Sequence, residues 1–106
     1  MSKIYDGIMG LVVGDALGVP YEFKARDSFY AEDMVGYGTY NQPPGTWSDD
    51  SSMTLATVKS IYLHKLSSVW IMENFKAWYK DAAFTPWDVV FDVGNATRQA
   101  IQRYID

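Results

Sequence analysis

Ser48, Asp49 and Asp50 place a hydroxyl and two carboxylates on consecutive residues, within Gly45-Thr46-Trp47-Ser48-Asp49-Asp50-Ser51-Ser52-Met53. A Pro/Gly-rich loop runs there into apolar residues at helical spacing. Hard divalent cations take clustered oxygen ligands, and Mg²⁺ is commonly held by one or two carboxylates completed by water and substrate. A second acidic segment, Gly14-Asp15-Ala16-Leu17-Gly18-Val19-Pro20-Tyr21-Glu22, lies about one loop upstream. Together the two segments suggest metal-assisted hydrolysis. The same residues have a plainer use. Asp in the first turn of a helix is favoured by the macrodipole and by unpaired N–H groups, with Ser48 or Asp50 itself as the cap. The carboxylate pair alone supports both readings.

The elements that must position these groups are helical. Residues 3–18 carry Ile4, Ile8, Leu11 and Val12 on one face. Asp15 projects into the middle of that face, where a carboxylate is costly to bury unless it is paired, hydrogen-bonded or bound to metal. It is expected to be largely buried. Gly7, Gly10, Gly14 and Gly18 form a neighbouring stripe, each about 1 kcal/mol worse than Ala in a helix. Such a stripe predicts close approach of another backbone and a helix enclosed by others, which Pro20 ends. Residues 23–47 form a long connection punctuated by Gly36, Gly38, Pro43, Pro44 and Gly45, more in keeping with a site wall or lid than a simple link.

A second helix is expected over 49–66 with Leu55, Val58, Tyr62 and Leu66 on one face. A third is expected over 68–80 with Ile71, Phe75 and Trp78. Thr85-Pro86-Trp87-Asp88 reads as a helix start. Gly94-Asn95 interrupts that element. A last helix carries Ala100, Ile101, Tyr104 and Ile105, and Asp92 is placed to cap it. The fold class is all-α.

Composition removes several function classes. At 106 residues the chain is one domain at most. Apolar residues at 48% and aromatics at 16% exclude disorder. A net charge of −4, with scattered Lys and Arg, argues against nucleic-acid or membrane-surface partners. There is no cysteine, hence no disulfide, thiolate metal site or thiol nucleophile. No signal peptide or membrane-spanning run is visible, and a soluble, cytoplasmic protein is expected.

Three blocks, in order, carry a resemblance. Gly14-Asp15-Ala16-Leu17-Gly18-Val19-Pro20-Tyr21-Glu22-Phe23, then Pro44-Gly45-Thr46-Trp47-Ser48-Asp49-Asp50-Ser51-Ser52-Met53, then Phe91-Asp92-Val93-Gly94-Asn95-Ala96-Thr97-Arg98-Gln99-Ala100-Ile101, are similar to the N-terminal signatures of the ADP-ribosylglycohydrolases. The resemblance runs over residues 1–106 yet covers only the N-terminal portion of the family's domain. It implies an orthogonally packed all-α fold around a two-metal site holding Mg²⁺ or Mn²⁺. The family's Thr-Asp-Asp run of ligands falls on Ser48, Asp49 and Asp50, and serine keeps the hydroxyl. The family's acidic residue implicated in gating or acid–base work falls on Glu22. The remaining ligands come from an Asp-x-Asp-Thr segment that these 106 residues do not contain, and the loop that cradles the diphosphate in relatives is likewise missing.

Cleavage at the ribose anomeric carbon builds oxocarbenium-like charge, so nearby anions help and water must be placed on one face of the ring. The implied partners are ADP-ribose or an ADP-ribosylated protein. Asp15 then either orients a ligand or loop from behind, or makes a helix-to-loop hydrogen bond of purely structural value. His64 reads as structural and Trp47 as a loop anchor, and Gly36-Tyr37-Gly38 is too short a pattern for phosphate binding. The rival to an enzyme is a catalytically inactive, shortened family member acting as a binding or interaction module. Uncovered aromatic-rich faces would favour homo-oligomers or pairing with a missing C-terminal segment.

Overall fold

The computed structural model describes residues 2–106 and contains four α-helices: α1 (Lys3–Gly18), α2 (Asp49–His64), α3 (Ser68–Asp81) and α4 (Asn95–Ile105). Short 3-10 turns occupy Val19–Tyr21 and Gly38–Tyr40. Among the described residues there is no strand, only an isolated antiparallel bridge between Tyr37 and Gln42. Among the described residues no helix is long and apolar enough to cross a membrane. The chain divides into two compact units, one ending at Ser48 and the other spanning Asp49–Asp106.

In the first unit, Ser2 caps α1 by accepting the Tyr5 N–H at 3.1 Å. Asp6 in the first turn complements the positive end of the helix dipole. The helix bounds are those the periodicity predicts, but its surroundings are not. Ile4 is 75% exposed, Leu11 is exposed, and Ala16 is the buried residue of the helix. A Cβ on Gly7, Gly10, Gly14 or Gly18 would meet nothing within 4 Å, so no backbone approaches the stripe among the described residues. Asp15, expected to be largely buried, is half-buried. Periodicity reports which face of a helix could be covered, not whether a covering element is present.

The long connection is ordered by turns. Gly38 adopts φ +65, and a Cβ there would collide with the Pro20 carbonyl, so only glycine lets the two 3-10 turns meet. Thr39 Oγ1 donates to the Glu22 carbonyl at 2.5 Å, and Pro20 O lies 3.4 Å from the same hydroxyl.

In the second unit α2 packs on α3, and α3 on α4. The buried face of α2 differs from the expected one. Tyr62 and Leu66 are exposed, as is Val58, while Ser52, Ala56 and Ser60 are buried. Small residues at four-residue intervals let another helix come close, whereas large side chains would hold it away. Asn74 Nδ2 on α3 donates to the Ala56 carbonyl at 2.9 Å across that seam, and the buried Ser60 hydroxyl has no hydrogen-bond partner. Trp78 and Ile101 are each 1% exposed and form the apolar centre, with Ile71 and Phe75 half-buried beside Trp78 as their spacing predicts. Burial, followed by the Glu73 carboxylate that Tyr104 hydrogen-bonds, pushes the Tyr104 phenol upward. His64 at the end of α2 stacks on Trp70, ring centroids 3.9 Å apart, a structural contact.

Residues 82–94 are not helical, which corrects the start signal at Thr85. Thr85 Oγ1 donates backward to the Ala82 carbonyl at 2.6 Å rather than serving forward N–H groups. Ala82, Phe84, Asp88 and Asp92 all have positive φ, which breaks any helical run. Asp92 does not cap α4 either: the N-cap is Gly94, with no side-chain bond.

Candidate metal-binding and substrate-facing site

The loop that delivers Ser48 is built by its own sequence. Thr46 is buried, and both its N–H (3.2 Å) and its Oγ1 (2.7 Å) donate to the Pro43 carbonyl. Gly45, at φ +86, allows the chain to turn back on that carbonyl. Trp47 is then half-buried, and Ser48 is 4% exposed.

Asp15 meets this loop at two points. Its Oδ2 accepts the Ser48 N–H at 2.8 Å and its Oδ1 accepts the Ser48 Oγ–H at 2.6 Å. The α1 carboxylate therefore fixes both the backbone and the side chain of a residue 33 positions later. Charge-assisted bonds of this length are the strong class. The chemical consequence concerns the hydroxyl. With its proton directed at Asp15, Ser48 Oγ keeps only lone pairs for any third group, which is what a metal ligand must present.

Asp49 and Asp50 come directly after it in the first turn of α2, the former half-buried and the latter exposed. One hydroxyl and two carboxylates suit a hard cation such as Mg²⁺ or Mn²⁺ in donor chemistry, and fall short of its usual six ligands in number. Among the described residues no three His, Cys, Asp or Glu side chains gather into a fuller set. In donor type these residues match part of a hard-cation ligand set.

Glu22 ends the Val19–Tyr21 turn, half-buried, with its carbonyl held by Thr39. It lines a cavity of about 420 Å³ together with Gly14, Leu17 and Gly18 of α1 and Tyr21, Lys24, Arg26 and Phe29 of the loop beyond. Asp15 with Ser48, and Glu22 with its cavity, are the two groupings that the first unit assembles. Sequence reasoning did not single out Lys24, Arg26 or Thr39. Two cations at alternate positions after an acidic residue, inside a loop already read as a wall, were the available signal.

The profile of the ADP-ribosylglycohydrolase family matches residues 1–106. The chain is 36% identical over 106 residues to the ADP-ribosylarginine hydrolase Tri1 of Serratia proteamaculans, covering 99% of this chain and 29% of that one. It is 34% identical over 110 residues to the ADP-ribosyl-[dinitrogen reductase] glycohydrolase of Rhodospirillum rubrum, covering 98% and 35%. A solved ADP-ribosylglycohydrolase-related protein complex superposes with a TM-score of 0.76 at 32% identity, over 92% of this chain and 31% of that one. The chain thus spans about a third of the length of the relatives it matches. With the all-α architecture and a match along its whole length, this chain belongs to the ADP-ribosylglycohydrolase family.

Proposed function

We propose that this chain carries part of a divalent-metal-dependent hydrolase site that removes ADP-ribose from a modified protein side chain. Ser48, Asp49 and Asp50 are its share of the metal ligands and Glu22 its acid–base or gating group. The observation that carries this reading is the two-point Asp15–Ser48 contact, which leaves the Ser48 lone pairs available on the residue just before two carboxylates. Family membership and the activities of the relatives, an ADP-ribosylarginine hydrolase and an ADP-ribosyl-[dinitrogen reductase] glycohydrolase, support the substrate class.

In this reading Ser48, Asp49 and Asp50 would hold Mg²⁺ or Mn²⁺, and the bound cation would supply Lewis-acid activation of a water. The residues of this chain do the rest. Asp49 and Asp50 supply negative charge near a ring that becomes positive as the glycosidic bond breaks. Asp15 keeps Ser48 from rotating away. Glu22 takes a proton from water or gives one to the departing nitrogen or oxygen. An Asp-x-Asp-Thr segment does not occur in these 106 residues, so the set of ligands is partial and release of ADP-ribose by this chain alone is expected to be negligible.

Calorimetric titration with MgCl₂ or MnCl₂ tests the metal assignment. Weak binding is expected for the chain as it stands, and Asp49→Asn should abolish it while the helix stays capped, since Asn caps about as well as Asp. Unchanged affinity in Asp49→Asn would return the pair to helix capping. Robust metal-dependent release of ADP-ribose by the chain alone would overturn the partial-site reading.

A further inference from the structure

The cavity beside Glu22 has walls of opposite character. One wall is the last turn of α1, with Gly14, Leu17 and Gly18, where carbonyl groups give the helix its negative end, and Glu22 adds a carboxylate to it. The other wall carries Lys24 and Arg26, both exposed. Between them Tyr21 and Phe29 stack, centroids 4.4 Å apart and planes within 10°. Lys24 Nζ lies 5.9 Å from the centre of the Tyr21 ring, and Arg26 has no ion pair among the described residues.

The loop bearing the cations is held in shape. Lys24 N–H donates to Tyr21 O at 3.1 Å, and both the N–H (3.1 Å) and the hydroxyl (2.5 Å) of Ser28 donate to Ala25 O. Phe23 and Asp27, on either side, adopt φ of 64 and 61, a left-handed conformation that Asp tolerates and that costs a bulky Phe energy.

Two anions could answer the cations: the diphosphate of the nucleotide or a carboxylate of the modified protein. The negative wall decides between them. A dianionic diphosphate would face the carbonyl end of a helix and Glu22, whereas phosphate sites favour helix N-termini and backbone N–H groups. A single carboxylate on a flexible peptide can reach Lys24 and Arg26 at the rim while the peptide's aliphatic stems cover Tyr21 and Phe29. We propose that this cavity is a specificity subsite for the protein side of the substrate, with Lys24 and Arg26 taking acidic side chains close to the modified residue. This rests on the reading under Proposed function, since it assigns Glu22 and its surroundings to the end of the substrate that departs.

The test uses unmodified pentapeptides, without metal, titrated against the chain and tracked by the NMR shifts of the Tyr21 and Phe29 rings. One peptide has arginine at its centre and glutamate at the other four positions; its counterpart has lysine at those four. The chain's net charge of −4 favours the lysine peptide at long range, so a glutamate preference has to come from a local site. The glutamate peptide should bind about tenfold more tightly, as expected for two exposed charge pairs, and weaken with added salt. The double variant Lys24→Glu, Arg26→Glu should reverse the preference, Lys24→Gln, Arg26→Gln should reduce it, and Asp49→Asn should leave it intact. Equal binding of the two peptides, or a preference surviving the double charge reversal, overturns the proposal. So does pyrophosphate that displaces the glutamate peptide at equal concentration, which would assign the cavity to the nucleotide. Failure here leaves the metal titration of Asp49→Asn unaffected, and failure of that titration leaves the peptide preference measurable.

Discussion

In the second unit Trp78 and Ile101 are almost fully buried, and α2 offers the small seam Ser52, Ala56, Ser60 to its surroundings. In the first unit the buried residues include Ala16, Val19, Pro20, Thr46 and Ser48, none of them large, and α1 leaves Ile4 and Leu11 exposed. Its order comes instead from side chains bonded to backbone: Asp15 to Ser48, Thr39 to Glu22, Thr46 to Pro43. Apolar burial is non-directional and tolerates small shifts, whereas hydrogen bonds fix orientation to within tenths of an ångström. Directional bonds fix the orientation of Ser48 in the first unit, and buried apolar surface dominates the second, whose helices need only stay packed.

Removing the largest buried side chain should have the largest effect. Trp78→Ala is expected to destabilise the chain by about 3–5 kcal/mol, the range for truncating a core aromatic, measured by urea denaturation. Next comes Asp15→Ala, which strands a buried N–H and hydroxyl on Ser48 and should cost about 1.5–3 kcal/mol, with loss of hydrogen-exchange protection at the Ser48 amide. Asp15→Asn should recover part of that, since an amide oxygen can still accept one of the two bonds. If Asp15→Ala proved costlier than Trp78→Ala, the contrast between a packed unit and a hydrogen-bonded one would have to be abandoned. The smallest effect sharpens it from the other side. Ser60→Ala removes a buried hydroxyl with no partner, and should be neutral or stabilising by up to about 1 kcal/mol in the same measurement. A loss above that would reveal a bond to Ser60 in solution.

Much of the fold was legible in the residues, because helical periodicity over 11 to 16 positions is a strong signal. The misreadings have particular causes. α2 stops at His64 rather than residue 66 because Lys65 takes a left-handed conformation at φ 59, without a glycine to announce it. Thr85-Pro86 reads as a start because a threonine hydroxyl can serve either chain direction, and only the surrounding φ angles show that it turned back to Ala82. On α2 the hydrophobic spacing favoured Val58 and Tyr62, but close helix contact selects for smallness, so the seam passed as polar surface. At the candidate site, a carboxylate on an apolar face announced that Asp15 required a partner. That the partner is Ser48, 33 residues away, depends on how the intervening loop folds, which no local pattern encodes. Lys24 and Arg26 likewise acquire meaning only from the cavity they border.

The Asp15–Ser48 contact also has a topological consequence. It closes the chain between the end of α1 and the start of α2 into a ring, tied by two hydrogen bonds instead of a covalent link. The entropic cost of closing such a ring grows only logarithmically, so even doubling its length adds about 0.6 kcal/mol. Insertions between residues 30 and 35, beyond the Tyr21–Phe29 stack, are therefore cheap so long as the knot at Asp15 and Ser48 holds. That arc can change in length without moving the Ser48 hydroxyl from the Asp15 carboxylate that holds it.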